Sequence, residues 1–115
     1  MSDDTAIAYA DFIRALPQAD LPMAGINAFL LAGEKGQAVF FELPAGASVP
    51  PHSHGAQWGI VVAGEVDLTI DGQKRTYRRG DSYFIGDGVV HSAEVHAPCL
   101  AIDIFCDPNR YRPRA

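Results

Sequence analysis

His52 and His54 stand two residues apart within residues 50–64, PPHSHGAQWGIVVAG. In an extended strand, residues i and i+2 leave from the same face. The two imidazoles then form a chelate, each able to place a ring nitrogen about 2 Å from one ion. A His-x-His pair alone does not separate a metal site from a pair of surface histidines, so a third ligand and a scaffold must come from elsewhere. A second candidate is Asp103 in Cys99–Phe105, CLAIDIF. If Cys99, Ala101, Asp103 and Phe105 share the inward face of a strand, a carboxyl group sits among apolar neighbours. It must then pair with a cation such as Arg110 or hold its proton to higher pH. Either case suits a general acid or base; the alternative is a pairing with Arg110 that only holds the C-terminal turn.

The elements that position these residues are short. One stretch, residues 2–16, has helical spacing, with Ile7, Tyr9, Phe12, Ile13 and Leu16 recurring, Thr5 as a cap and Pro17 as a stop. From Ile26 onward, apolar runs alternate with turn residues: 27–31, 37–43, 57–62, 66–70, 74–79, 82–85, 89–96 and 99–105. Asp71-Gly72 between two such runs is the strongest hairpin signal in the chain. Eight or nine short strands in about 80 residues predict an all-β barrel or jelly roll.

At 115 residues the chain is one domain: an arm or short helix over residues 1–24, a barrel over 25–110 and a tail over 111–115. A net charge of −5 argues against nucleic-acid or anionic-membrane partners, which need a basic face. The basic runs 74–79 and 110–114 read as an exposed edge strand and a tail. Cys99 and Cys106 point to opposite faces and form no disulfide framework. With no signal-peptide pattern and no apolar run of spanning length, a cytoplasmic protein is expected.

The spacing of turns and histidines resembles the cupin superfamily, over about residues 25–110, and in particular its small single-domain members of the conserved-barrel type. The first cupin motif is matched by Gly46, His52, His54, Gln57 and Gly64, and the second by Gly80, Gly86-Asp87-Gly88 and His91. Gln57 occupies the position of the family's acidic ligand, and Gly86 and Val95 replace its proline and asparagine. The resemblance implies a jelly-roll-like antiparallel barrel holding one divalent ion (Zn, Ni, Fe or Mn) through His52, His54, Gln57 and His91. A set of three imidazoles and one amide leaves the ion's charge uncompensated, which strengthens it as a Lewis acid toward carboxylates and enolates and weakens its retention. His96, five residues after His91, is expected on the opposite face of the same strand.

Residues 103–110 also resemble the closing segment of small cupins that linearise unsaturated uronates in pectin and alginate breakdown. In them an Asp, a Phe two residues later and a following Arg accompany a His, His, Gln, His ligand set. Asp103, Phe105 and Arg110 match that order, with one more residue between Phe105 and Arg110. By this resemblance Asp103 and Arg110 are catalytic and Phe105 lines the substrate pocket. The expected function is metal-assisted proton transfer or ring opening on a small carboxylated, sugar-derived compound. An iron-dependent dioxygenase and a non-catalytic small-molecule-binding module are the alternatives. Trp58 alternates away from Gln57, toward a sheet or subunit interface. The second face of the last strand, Leu100, Ile102 and Ile104, is also apolar, so either a second protomer or the N-terminal arm must cover it. A homodimer is expected.

Overall fold

A computed structural model describes residues 7–23 and 25–114. One helical turn, α1 (Asp11–Arg14), precedes nine strands: β1 (Asn27–Ala32), β2 (Gln37–Leu43), β3 (Ser48–His52), β4 (Gln57–Ala63), β5 (Glu65–Ile70), β6 (Gln73–Arg78), β7 (Ser82–Ile85), β8 (His91–Glu94) and β9 (Cys99–Phe105). They form two antiparallel sheets, ordered β1-β2-β9-β4-β7 and β3-β8-β5-β6. The fold is an all-β jelly roll of two antiparallel sheets, as the resemblance implies. No helix among the described residues is long and apolar enough to cross a membrane.

Alternation dictates the layers. Val39, Val61, Ile85 and Cys99 are almost fully buried and face the opposite sheet. On β9, Cys99, Ala101, Asp103 and Phe105 are all buried, as the two-residue period requires. The β5–β6 hairpin turns at Asp71-Gly72, both with positive φ (52° and 79°), the mirror-image turn whose twist suits paired strands.

Three expectations need correction. The N-terminal segment, expected as an arm or short helix with helical spacing over residues 2–16, is helical among the described residues only at Asp11–Arg14, preceded by Ala10; Thr5 lies outside the described residues. Tertiary bonding replaces helical bonding. The Tyr9 N–H donates to Glu42, and Pro17 and Ala19 exchange backbone bonds with Leu30 and Ala28 on the edge of β1. Secondly, residues 48–52 form a strand despite Pro50 and Pro51. It is the edge of its sheet, where a missing N–H is tolerated, and its register shifts between Val49 and His52. This strand ends at His52, so His54 lies beyond it and the pair does not share one regular strand. Thirdly, β8 ends at Glu94, which places exposed His96 past the strand, against Asp67 at 3.1 Å.

The arm is clasped by Glu42. Its carboxylate accepts the Tyr9 N–H (3.1 Å), Arg14 Nε (2.9 Å) and Asn27 Nδ2 (3.3 Å). Burial alone would raise this carboxyl's pKa, but the bonds from Arg14, Tyr9 and Asn27 hold it below its usual value. Glu42→Ala should lower the unfolding free energy by about 2 kcal/mol at pH 7, measured by urea denaturation. For a depressed carboxylate the stabilisation is present above the unfolded pKa and lost as pH falls through the folded one. The difference between wild type and variant should therefore shrink on acidification.

Candidate metal centre

His52 is the last residue of β3 and lies opposite His91, the first of β8. His54 follows in the β3–β4 connection, where its carbonyl accepts the Gly88 N–H at 2.9 Å and ties this loop to the turn before β8. The three rings converge. Their centroids are 4.2 Å (52–91), 4.8 Å (54–91) and 5.2 Å (52–54) apart. One ligand nitrogen from each lies within 4.8 Å of the others.

Their tautomers follow from their partners. Nδ1 of His52 faces the Pro50 carbonyl (2.9 Å), Nδ1 of His54 that of Gly55 (2.7 Å) and Nδ1 of His91 that of Val89 (2.9 Å). A carbonyl only accepts, so each Nδ1 carries the proton and each Nε2 keeps its lone pair. Backbone carbonyls commonly orient metal-binding imidazoles in this way. Burial lowers the pKa of His54 and His91, as do the nearby Arg110 and the neighbouring histidines, which keeps these rings neutral.

Gln57, the first residue of β4, is buried on the same cavity, and its Oε1 has no hydrogen-bond partner among the described residues. A buried acceptor without a donor is costly, and a cation would satisfy it. Three available lone pairs and an orphaned amide oxygen fit a divalent ion.

Asp103 is buried beside this group. The Tyr83 hydroxyl donates to its Oδ1 at 2.7 Å. Burial pushes the carboxyl's pKa up to about 6, against the opposing pull of hydrogen bonds from Tyr83 and the Gln57 amide. Among the described residues Asp103 has no ion pair, so the anchoring alternative with Arg110 is not realised. Tyr83 was not singled out from the sequence. Its inward parity was legible in Ser82–Ile85, but its partner depends on β4 lying between β7 and β9. Gly59 makes room for the pair: a Cβ there would overlap both Asp103 Oδ1 and the Tyr83 ring.

Phe105 packs against His54 (5.3 Å between centroids) and Tyr111 (5.7 Å). Tyr111 is fixed by two hydrogen bonds between its backbone and the Gln37 side chain. The Arg110 guanidinium stacks 4.3 Å from the Tyr111 ring centroid and 5.5 Å from that of Phe105, and its Nε is buried without a partner. The arrangement gathers a cation-binding cluster, a buried carboxyl and a guanidinium with unused donor capacity.

Such a two-sheet barrel with inward histidines defines a class of small metal-binding jelly rolls. The family model described as "Cupin domain" matches residues 39–105, and the chain belongs to the cupin family. It is similar to KdgF from Halomonas sp., with 29% identity over 80% of this chain and 88% of that one and a TM-score of 0.72. An RmlC-like cupin from Shewanella frigidimarina shares 27% identity over 90% of this chain and 94% of its own, with a TM-score of 0.77. A salicylate 1,2-dioxygenase from Pseudaminobacter salicylatoxidans is 16% identical over 76% of this chain and 28% of that one (TM-score 0.70), a likeness of fold. No curated protein matches the chain.

Proposed function

We propose that this cupin is a divalent-metal-dependent enzyme that moves a proton on a small carboxylated compound, in an isomerisation or ring opening. The observation that carries this reading is the shared cavity: three Nε2 lone pairs, the orphaned Gln57 Oε1 and the protonatable Asp103 carboxyl all line it. His52, His54, His91 and Gln57 would hold the ion. Bound there, it would supply Lewis acidity toward a carbonyl or carboxylate oxygen.

The remaining work falls to the chain. Asp103 gives or takes the proton, and the Tyr83 hydroxyl fixes the direction of its carboxyl. Arg110 offers its unused N–H groups to the substrate carboxylate, a geometry guanidinium suits. Phe105 walls the pocket beside His54. The likeness to KdgF supports this reading. So, separately, does the match of Asp103, Phe105 and Arg110 to the uronate-linearising cupins.

The test is a panel of small carboxylates, unsaturated uronates included, followed by loss of the conjugated double bond's ultraviolet absorbance. Turnover that requires added metal is expected. Oxygen uptake by the iron-loaded protein without any such loss would replace this reading with a dioxygenase. Saturable binding with no turnover would make the chain a binding module.

Assembly belongs to the same reading. On the outer face of the five-stranded sheet, the arm lies over Phe29 and Phe40. It leaves a row that crosses every strand: Leu31, Ala38, Ile104, Trp58 and Phe84. Leu31 is 55% exposed, Trp58 43%, Phe84 65% and Ile104 43%. Five strands make this row about 19 Å long, a continuous apolar band of the kind that marks an interface. A second copy of the chain, meeting it by two-fold symmetry, is the proposed cover. Light scattering should give twice the chain mass for the wild type and the single mass for Ile104→Asp; a monomeric wild type overturns the proposal.

A further inference from the structure

The cavity that holds the histidines continues between the two sheets, with a volume of about 80 Å³. Its polar groups are few. Apart from the triad, Gln57 and Asp103, they come from Tyr83, Ser92 and Tyr111, and the Tyr83 hydroxyl is already committed to Asp103. The rest of the wall is hydrocarbon contributed by both sheets: Ile26, Phe41, Val66, Leu68, Ile85 and Ala101 are all buried there.

A ligand group entering this space exchanges water for aliphatic contacts. A methylene gains by that transfer. A hydroxyl loses its water partners and meets no donor or acceptor on those six side chains, so it is penalised. The volume matters too. An apolar cavity of roughly 150 Å³ accommodates a benzene ring, and this one, its histidine side included, is about half as large, so the buried hydrocarbon group must be smaller still.

We propose that the site selects a substrate with two unlike ends: a chelating carboxylate or carbonyl head for the histidine side of the cavity, and a compact, unhydroxylated hydrocarbon group for the interior. The head assignment rests on the function proposed above; the hydrocarbon assignment rests on the wall. The substrate class is thereby narrowed to acids whose interior-facing end is short and deoxygenated, with hydroxyls tolerated only on the part that stays at the histidine side.

Two measurements keep these parts separate. In the first, cobalt-loaded protein is titrated calorimetrically with pyruvate, with α-keto acids of increasing alkyl length, and with their tail-hydroxylated counterparts. The expected result is about a fourfold gain in affinity for each of the first methylenes, then a plateau or loss once the cavity is full. A tail hydroxyl should weaken binding at least about tenfold. Equal or tighter binding of the hydroxylated acids overturns the proposal.

In the second, metal-free protein is exposed to xenon and the methyl resonances of Leu68, Val66 and Ile85 are followed. Shifts confined to these methyls are expected, because such a guest partitions to the apolar wall and away from the imidazoles, Gln57 and Asp103. Their absence overturns the proposal whatever the metal content. Xenon shifts together with no pyruvate binding would leave the hydrocarbon assignment standing and remove the head assignment, along with the enzymatic reading on which it depends.

Discussion

Replacing His91 with alanine should abolish metal retention. Wild-type protein loaded with a divalent ion and desalted is expected to carry about one ion per chain, and His91→Ala less than a tenth of that. The magnitude follows from the ligand set. Altering a residue that only orients a ligand already costs about 10- to 100-fold in affinity, and His91 is itself one of three imidazoles. The neutral Gln57 offers little to compensate. The deletion also leaves Gln57 Oε1 orphaned in a buried site. His96→Ala is the control. His96, Asp67 and Glu94 form a second group whose ligand atoms lie within 4.8 Å of one another, at the surface and away from the cavity. Metal content that follows His96 and ignores His91 would show that the ion binds this surface group, and the proposed centre would fall.

Asp103→Asn should act in opposite directions on catalysis and stability. Turnover of whichever carboxylate the panel identifies should drop about 10²- to 10⁴-fold, the range for loss of a positioned acid or base. At the same time, unfolding of metal-free protein above pH 6 should require more free energy than in the wild type. The carboxyl is raised from 3.8 to about 6 in the folded protein, so between those values the native state holds a proton that the unfolded chain has released. Stability therefore declines as pH rises through that window and levels off above it, by about 3 kcal/mol in all. Asparagine carries no charge to bury and can still accept from Tyr83. Urea denaturation at a series of pH values should show the two proteins converging near pH 4 and the variant ahead at pH 8. A variant with full turnover would remove Asp103 from the proton-transfer role. A variant less stable at every pH would show that the carboxylate is satisfied in the native protein after all.

Such opposition between stability and activity is common where a buried group is kept for chemistry. It also explains the surroundings. Gly59 lacks a side chain where Asp103 and Tyr83 meet, so a methyl group at that position would displace the carboxyl. Tyr83 holds the same carboxyl from β7.

Much of the fold was legible in the amino-acid order because binary patterning is local. Gln37–Leu43, Ser82–Ile85 and Cys99–Phe105 begin and end as strands where their apolar alternation and flanking turn residues indicate. Asp71-Gly72 makes the expected hairpin because few residues other than Gly, Asn and Asp tolerate positive φ. The arm is less legible, for the complementary reason. Its apolar spacing suits a helix, but a segment this short depends on tertiary contacts. Those contacts, with Glu42 and the edge of β1, favour extended chain. Residues 48–52 were missed because two prolines disguise a strand that, at a sheet edge, has no need of their N–H groups.

The order of residues by itself determined the chemical inventory: three histidines and a glutamine at cupin spacing, a carboxyl on the inward parity of the last strand, and the sheet-forming periods that enclose them. Periodicity reports only on near neighbours along the chain, and it determined nothing more. That β9 lies between β2 and β4, that Tyr83 faces Asp103, and that Glu42 draws in the arm were decided by the tertiary structure. Each depends on which strand lies beside which, and that is set by burying all the apolar faces together.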